Sequence, residues 1–221
     1  MTPRTKSRPV FSRFYARVAG PALDRAGAAG MRRRLLAGLS GEVLEIGAGN
    51  GLNFPHYPAA VTRVVAVEPE PRLRALARQA AAAAPVPVDV VDGVAERLPA
   101  ADGSADAVVV CLTLCSVADQ AAALREIRRV LRPEGRLRFF EHVQAPTARM
   151  RRVQRVADAT VWPLLAGGCH TGRDTLGAMR AAGLRVADVE RLVFPETRMP
   201  FPASFHVLGT ALPTADPEAG P

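Results

Sequence analysis

Residues 43–51 read Val-Leu-Glu-Ile-Gly-Ala-Gly-Asn-Gly, an apolar run that stops in three glycines separated by single residues. Such a stretch is a strand entering a turn whose missing side chains let a ligand approach the backbone closely. A strand apolar on both faces belongs in a parallel sheet with helices on either side. The rest of the chain keeps to that frame. Short, β-branched segments recur at Glu42–Ile46, Arg63–Val67, Val86–Val91, Ala105–Cys111 and Arg136–Phe140. Pro71–Ala84 and Asp119–Leu131 carry helical periodicity between them, and Arg132–Gly135 reads as a turn. Met150–Leu165 predicts a helix with Val153, Val156, Thr160, Val161 and Leu164 along one face, and Asp174–Ala182 a shorter one. Leu184–Val193 and Phe205–Ala211 are expected to close the sheet as an antiparallel pair. The fold class is α/β: a doubly wound, seven-stranded, mostly parallel sheet covered on both faces.

The formal charge of +8 is not spread over the 221 residues. Residues 1–40 hold nine bases and one acid, while the remainder balances 20 bases against 20 acids. The segment 1–40 is therefore expected to be a basic helical arm, 41–212 the main domain, and 213–221 a disordered tail. In the arm Phe11, Phe14, Tyr15 and Val18 recur at helical spacing, predicting a short amphipathic helix that buries this face as a lid. Gly20-Pro21 should interrupt it, with a second helix over Leu23–Leu39. No apolar run is long enough to span a bilayer, no signal core follows the N-terminal arginines, and three cysteines fit reduced thiols. A cytoplasmic protein is the expectation. Weak contact of the arm with an anionic membrane surface is the alternative to the lid, and no nucleic-acid partner is expected. Nothing in the sequence specifies an oligomeric state.

Two carboxylates narrow the ligand. Glu45 sits at the end of the first strand, placed to meet an ammonium group or to orient the turn. Glu68 ends the second, where a carboxylate accepts both ribose hydroxyls of a nucleoside. The glycine spacing, Gly47-x-Gly49-x-Gly51, differs from the dinucleotide fingerprint built around a pyrophosphate. A ligand with adenosine, an amine and a carboxylate but no phosphate suits it better, which is S-adenosylmethionine.

On these residues, with Gly93–Pro99, Asp102–Asp106 and Arg129–Gly135 in the same order, the chain resembles the class I methyltransferases. The resemblance implies their Rossmann-like fold and S-adenosylmethionine as cofactor. It places Glu45, Gly47, Ala48, Gly49, Asn50, Gly51, Asn53, Glu68, Pro69, Cys111 and Leu112 against the cofactor, with the adenine at Val94, Ala95 and Glu96. Many relatives carry Asp where Val94 stands, so the N6 contact falls to Glu96 or to the Ala95 backbone.

Methyl transfer needs alignment, exclusion of water and removal of a proton where the acceptor carries one. The acceptor side lies beyond the carboxyl ends of the strands, at Cys111–Ser116 and Glu141-His142. No Asn/Asp-Pro-Pro-aromatic motif follows the fourth strand, no carboxylate lies between Asp106 and Asp119, and neither Cys111 nor Cys115 follows proline. Those absences argue against exocyclic-amine, magnesium-dependent catechol and cytosine-C5 chemistry. His142 is the first candidate base and His170 the second. Cys111, Cys115, His142, Cys169 and His170 are metal-ligand types, but the i,i+4 cysteines form no C-x-x-C knuckle, so no metal site is expected.

Leu112–Val117, Glu141–Val143, Trp162, Gly168–His170 and Arg173 resemble a narrower branch, the animal methyltransferase-like proteins of the endoplasmic reticulum that methylate small lipophilic thiols, and their bacterial relatives. This implies a small-molecule acceptor, a thiol first. O- or C-methylation of a phenolic, quinone or other natural-product acceptor stays open, as does a non-catalytic binding module using the basic arm.

Overall fold

The computed structural model describes residues 9–160, 162–196 and 199–214. Among them β1 (Gly41–Ile46), β2 (Val61–Val67), β3 (Val88–Val91), β4 (Ala105–Cys111), β5 (Leu131–His142), β6 (Leu184–Val193) and β7 (Phe205–Pro213) form one sheet in the order β3-β2-β1-β4-β5-β7-β6. The first five pair in parallel. Strand β7 lies antiparallel between β5 and β6. Both faces are covered. In β4, Val108 and Val110 join the apolar cluster that includes Leu124 and Ile127 of α5 (Gln120–Val130) and Met179 of α8 (Thr175–Ala181). Ala107 and Val109 point the other way, to Leu35 and Leu36 of α3 (Ala28–Leu36) and Ala77 of α4 (Pro71–Ala81). This two-sided burial is why the strands read as uninterrupted apolar runs.

The chain winds outward from β1 through β2 to β3, and then crosses back to lay β4 on the other side of β1. The crevice beyond the carboxyl ends of β1 and β4 is therefore the switch point, where ligands bind in sheets of this kind.

Several expectations are corrected. Arg132–Gly135 does not separate helix from strand: Leu131 already pairs with Ala105, and after a register shift Arg136 pairs with Ala107, so the turn is an excursion within β5. In the arm, α1 (Pro9–Phe14), a π turn (Tyr15–Ala19) and α2 (Gly20–Arg25) follow one another directly, and Gly20-Pro21 is no interruption. The Gly20 N–H reaches the Tyr15 carbonyl, and this widened turn accommodates the proline ring that follows. The break comes at Gly27, whose φ of +103° only glycine adopts readily, and α3 starts from it. Phe11 and Tyr15 turn inward, but Phe14 and Val18 are 51% and 50% exposed, so only half of the predicted apolar face is buried.

The helix expected over Met150–Leu165 is two, α6 (Ala148–Asp158) and α7 (Trp162–Leu165). It ends at Asp158 because that carboxylate accepts from the Thr171 and Gly172 N–H groups, at 2.7 and 2.9 Å. The predicted face is also reversed. Val153, Val156 and Leu164 are exposed, Val161 lies outside the described residues, and the buried side chain of α6 is Gln154. Of the expected C-terminal tail, Pro213 closes β7 and Thr214 bonds to Gly183; residues 215–221, like 1–8, lie outside the described residues.

Candidate active site

The glycine turn is built by close approach. At Gly47, with φ +70°, an added Cβ would lie 2.6 Å from the Thr113 side chain, so the ends of β1 and β4 meet only because the side chain is absent. Glu68 closes the turn from β2: its carboxylate accepts from the Gly49 N–H at 2.7 Å and from the Glu70 N–H at 2.9 Å. Burial raises its pKa to about 7 despite those two hydrogen bonds. Pro69 gives its carbonyl to Arg74, which also pairs with Asp92.

Glu45 takes the orienting role of the two that its position allowed. Its oxygens accept from Asn53 Nδ2 at 2.8 Å and from the Tyr57 hydroxyl at 2.7 Å, and burial lifts it to about 7 against both. Asn53 in turn accepts from Arg32 Nη1 at 3.4 Å. Arg32 is the residue that the sequence hid. It belongs to the basic arm, yet it is buried behind the glycine turn, bonded to Asp24, Asn53 and Cys111, with Nη2 buried and unpartnered. Asn50 Oδ1, in the turn itself, is likewise buried without a partner. Tyr15 lies over the same place, its ring 3.6 Å from where a Gly49 Cβ would stand. A donor and an acceptor left open beside a side-chain-free turn fit a ligand that carries both a carboxylate and an amine.

Of the residues expected at the adenine, Val94 bridges to Arg97 and Ala95 is buried. Glu96 is turned to other work: its Oε1 accepts from the Ala118 and Asp119 N–H groups at 2.9 and 3.2 Å, holding the entry to α5.

On the side expected to take the acceptor, Glu141 at the end of β5 organises the loop after β4. Fully buried, it accepts from the N–H groups of Thr113 (2.7 Å), Leu114 (3.0 Å) and Cys115 (3.2 Å). Those bonds hold Leu112 at φ +58°, a left-handed conformation that a leucine adopts only under constraint. Cys111 faces Arg32, and burial pushes its thiol up to about 12.

The loop so held brings Cys115 to His142, with Sγ 3.4 Å from Nδ1. Cys169, from the loop after α7, lies 3.5 Å from the same nitrogen. The His170 N–H fastens this loop to the Cys115 carbonyl at 2.8 Å, and Arg173 binds the Leu114 and Val117 carbonyls. His142 thus has one ring nitrogen engaged by two sulfurs. Burial works to lower its pKa, but Cys169 and Glu141 outweigh this and raise it. Within the cysteine pair, the mutual hydrogen bond raises Cys115 and lowers Cys169. His170 points its Nδ1 to the Gly168 carbonyl at 2.9 Å, and its backbone, not its ring, joins the two loops.

His206 of β7 stacks on Phe140 and lies 4.3 Å from His142. Burial and the neighbouring His142 lower it to about 3, so it stays neutral. It lines an open cleft of about 780 Å³ with Val143, Arg151, Arg191 and Phe205. Nothing in the sequence around His206 marks it, because its place beside His142 comes from β7 pairing with β5.

Sheet order, switch-point crevice and glycine turn define an adenosine-cofactor enzyme of the methyltransferase class. The methyltransferase domain family matches residues 44–139. The chain is 34% identical to the human thiol S-methyltransferase TMT1B over 182 residues, 80% of this chain and 73% of the relative. It is 36% identical to human TMT1A over 165 residues, covering 72% and 67%. Among solved structures, a SAM-dependent methyltransferase from Thermotoga maritima superposes with a TM-score of 0.65 at 23% identity, covering 92% of this chain and 98% of that one. Geranyl diphosphate methyltransferase in complex with SAM gives 0.65 at 14%, covering 86% and 85%. The chain belongs to the S-adenosylmethionine-dependent methyltransferases, in the family that includes TMT1A and TMT1B.

Proposed function

We propose that the protein transfers the methyl group of S-adenosylmethionine to a small lipophilic thiol. The observation that carries the acceptor class is the 34–36% identity to thiol S-methyltransferases over 72–80% of the chain, well beyond the cofactor half at 44–139. The cofactor supplies a methyl group on a sulfonium, already activated for displacement. The chain's own residues bind and orient. Glu68 accepts ribose hydroxyls while keeping the Gly49 N–H; Arg32 Nη2 and Asn50 Oδ1 take the carboxylate and the amine. Tyr15 and Phe11 cover the turn and keep water out. Glu141 fixes Thr113–Cys115, so that the acceptor meets a rigid wall. A thiol suits this site because its proton leaves near pH ~8.5, at small cost near neutrality, whereas an aliphatic alcohol needs a far stronger base.

The test is a panel of alkanethiols, phenols and quinols with radiolabelled methyl donor. Label is expected in the thioether fraction and lost with Glu68→Ala. Label in phenols alone would move the acceptor atom to oxygen.

A further inference from the structure

Cys115, His142 and Cys169 come from three separate segments, the loop after β4, the end of β5 and the loop after α7. Their sulfur and nitrogen atoms all lie within 4.8 Å of one another. Both cysteines are buried. The sequence pointed away from a metal because Cys111 and Cys115 stand four apart, but Cys111 is not part of the group. Its place is taken by Cys169, which no spacing rule connects to Cys115.

From the convergence of these three side chains we infer a zinc site with three protein ligands, Cys115, His142 and Cys169, and a fourth position that takes the acceptor thiol as thiolate. Three features support it. Zn–S bonds of about 2.3 Å and Zn–N bonds of about 2.0 Å at a tetrahedral angle set an S···N edge of about 3.5 Å; the two edges here are 3.4 and 3.5 Å. Next, both sulfurs address one nitrogen. One cation between the three atoms would take the Nδ1 lone pair and both sulfurs together. Finally, no fourth Cys, His, Asp or Glu joins the group among the described residues. Glu141 next to it is committed to three backbone N–H groups, and His206 gives its Nδ1 to the Ser204 carbonyl. Structural zinc sites are closed by four protein ligands, whereas three leave a position for substrate.

The inference rests on the thiol reading and deepens it. A zinc-bound hydroxide leaves as water with the thiol's proton, and the thiolate takes its place on the metal. A sulfur lone pair then forms the new C–S bond as the methyl–sulfonium bond breaks, its electron pair staying on the departing thioether sulfur. The product, a neutral thioether and a weak zinc ligand, gives way to water, which releases one proton to solvent and restores the hydroxide. His142 is accordingly a ligand and not a free base.

The experiment reads the metal directly. Protein purified without chelator under reducing conditions is expected to carry about one zinc per chain. Cys115→Ser, Cys169→Ser and His142→Ala should each lower that at least tenfold, while adenosine binding reports that the variant is folded; Cys111→Ser should keep the metal. In the wild-type protein reloaded with cobalt, tetrahedral d–d bands and a sulfur-to-cobalt band are expected, and an alkanethiol should shift them where the matching alcohol does not. Absence of bound metal after zinc loading, retention of metal in all three variants, or a Cys115–Cys169 disulfide in the reduced preparation overturns the site. Cobalt bands indifferent to thiol overturn the acceptor role. Full thiol methylation after the metal is stripped overturns the inference and leaves the proposed function standing; metal and thiol-shifted bands without thioether product uphold the site and sink the proposed reaction.

Discussion

Glu68 serves the fold and, in the proposed function, the cofactor as well. Its carboxylate is buried at the end of β2 and ties Gly49 to Glu70 through two N–H groups, and burial raises its pKa to about 7. An unfolded glutamate titrates near ~4.3, so between those values the folded chain holds a proton that the unfolded chain has lost. This group's stabilising contribution is therefore complete below pH ~4.3 and is lost as the pH rises through 7. On the proposed function ligand binding runs the opposite way, because ribose hydroxyls would donate to the ionised form. Adenosine, with no titrating group in that range, is expected to bind about tenfold more tightly at pH 8 than at pH 6. Glu68→Gln should flatten the profile, and calorimetric titration across the range would show it; a flat wild-type profile removes Glu68 from the ribose site. The place of Glu68 beside the glycine turn was legible, since a carboxylate that ends an apolar parallel strand next to β1 meets an N–H group of that turn. Arg32 was not: among nine arm bases nothing marks the one that folds inward, because its burial depends on Asp24, Asn53 and Cys111 meeting from three segments.

At the scale of elements, the parallel strands were readable because burial on both faces writes itself as an apolar run. The helices outside the sheet were not, and α6 shows why. Its valines face outward while Gln154 is buried, accepting from the Ala145 N–H at 2.7 Å and donating toward the Val143, Thr171 and Pro202 carbonyls. The helix is docked by hydrogen bonds to loops, which leave no periodic trace. Gln154→Leu keeps the volume but strands the Ala145 N–H and three carbonyls. A loss of about 2–4 kcal/mol is expected in denaturant unfolding, since each buried polar group left without a partner costs about 1–3 kcal/mol. A change within 0.5 kcal/mol would mean that water replaces the amide. The arm makes the complementary case. Its apolar spacing identified a helix, but spacing alone did not distinguish Phe11 and Tyr15, which pack inward, from Phe14 and Val18, which do not. Removing residues 1–20 takes away Tyr15 over the glycine turn, and cofactor affinity is expected to fall at least tenfold with the melting of the sheet little changed; equal affinity would end the lid role.

Over the whole molecule, charge and chemistry are segregated. The excess of eight positive charges lies in residues 1–40, and the part that builds the sheet and the acceptor side has none. Of the arm's bases, Arg32 is consumed internally and Arg34 pairs with Glu190. The field that a diffusing acceptor meets at the carboxyl ends of β4 and β5 is thus weak at long range, because exposed charges beyond about 10 Å are screened at 0.1 M salt. Close to the cleft, Arg151 and Arg191 provide a local positive rim beside Val143 and Phe205. Two acceptors of equal size separate these scales. With the cofactor saturating, kcat/KM for an uncharged alkanethiol should change by less than about twofold between low and high salt. A thiol bearing a carboxylate should react faster at low salt and lose that advantage as salt is added, through Arg151 and Arg191 rather than through the arm. Arg191→Ala should then reduce the salt dependence for the carboxylate thiol alone, whereas Arg13→Ala should leave it intact. If Arg13→Ala removes it, the arm steers substrate and the division between a basic lid and a neutral catalytic body fails.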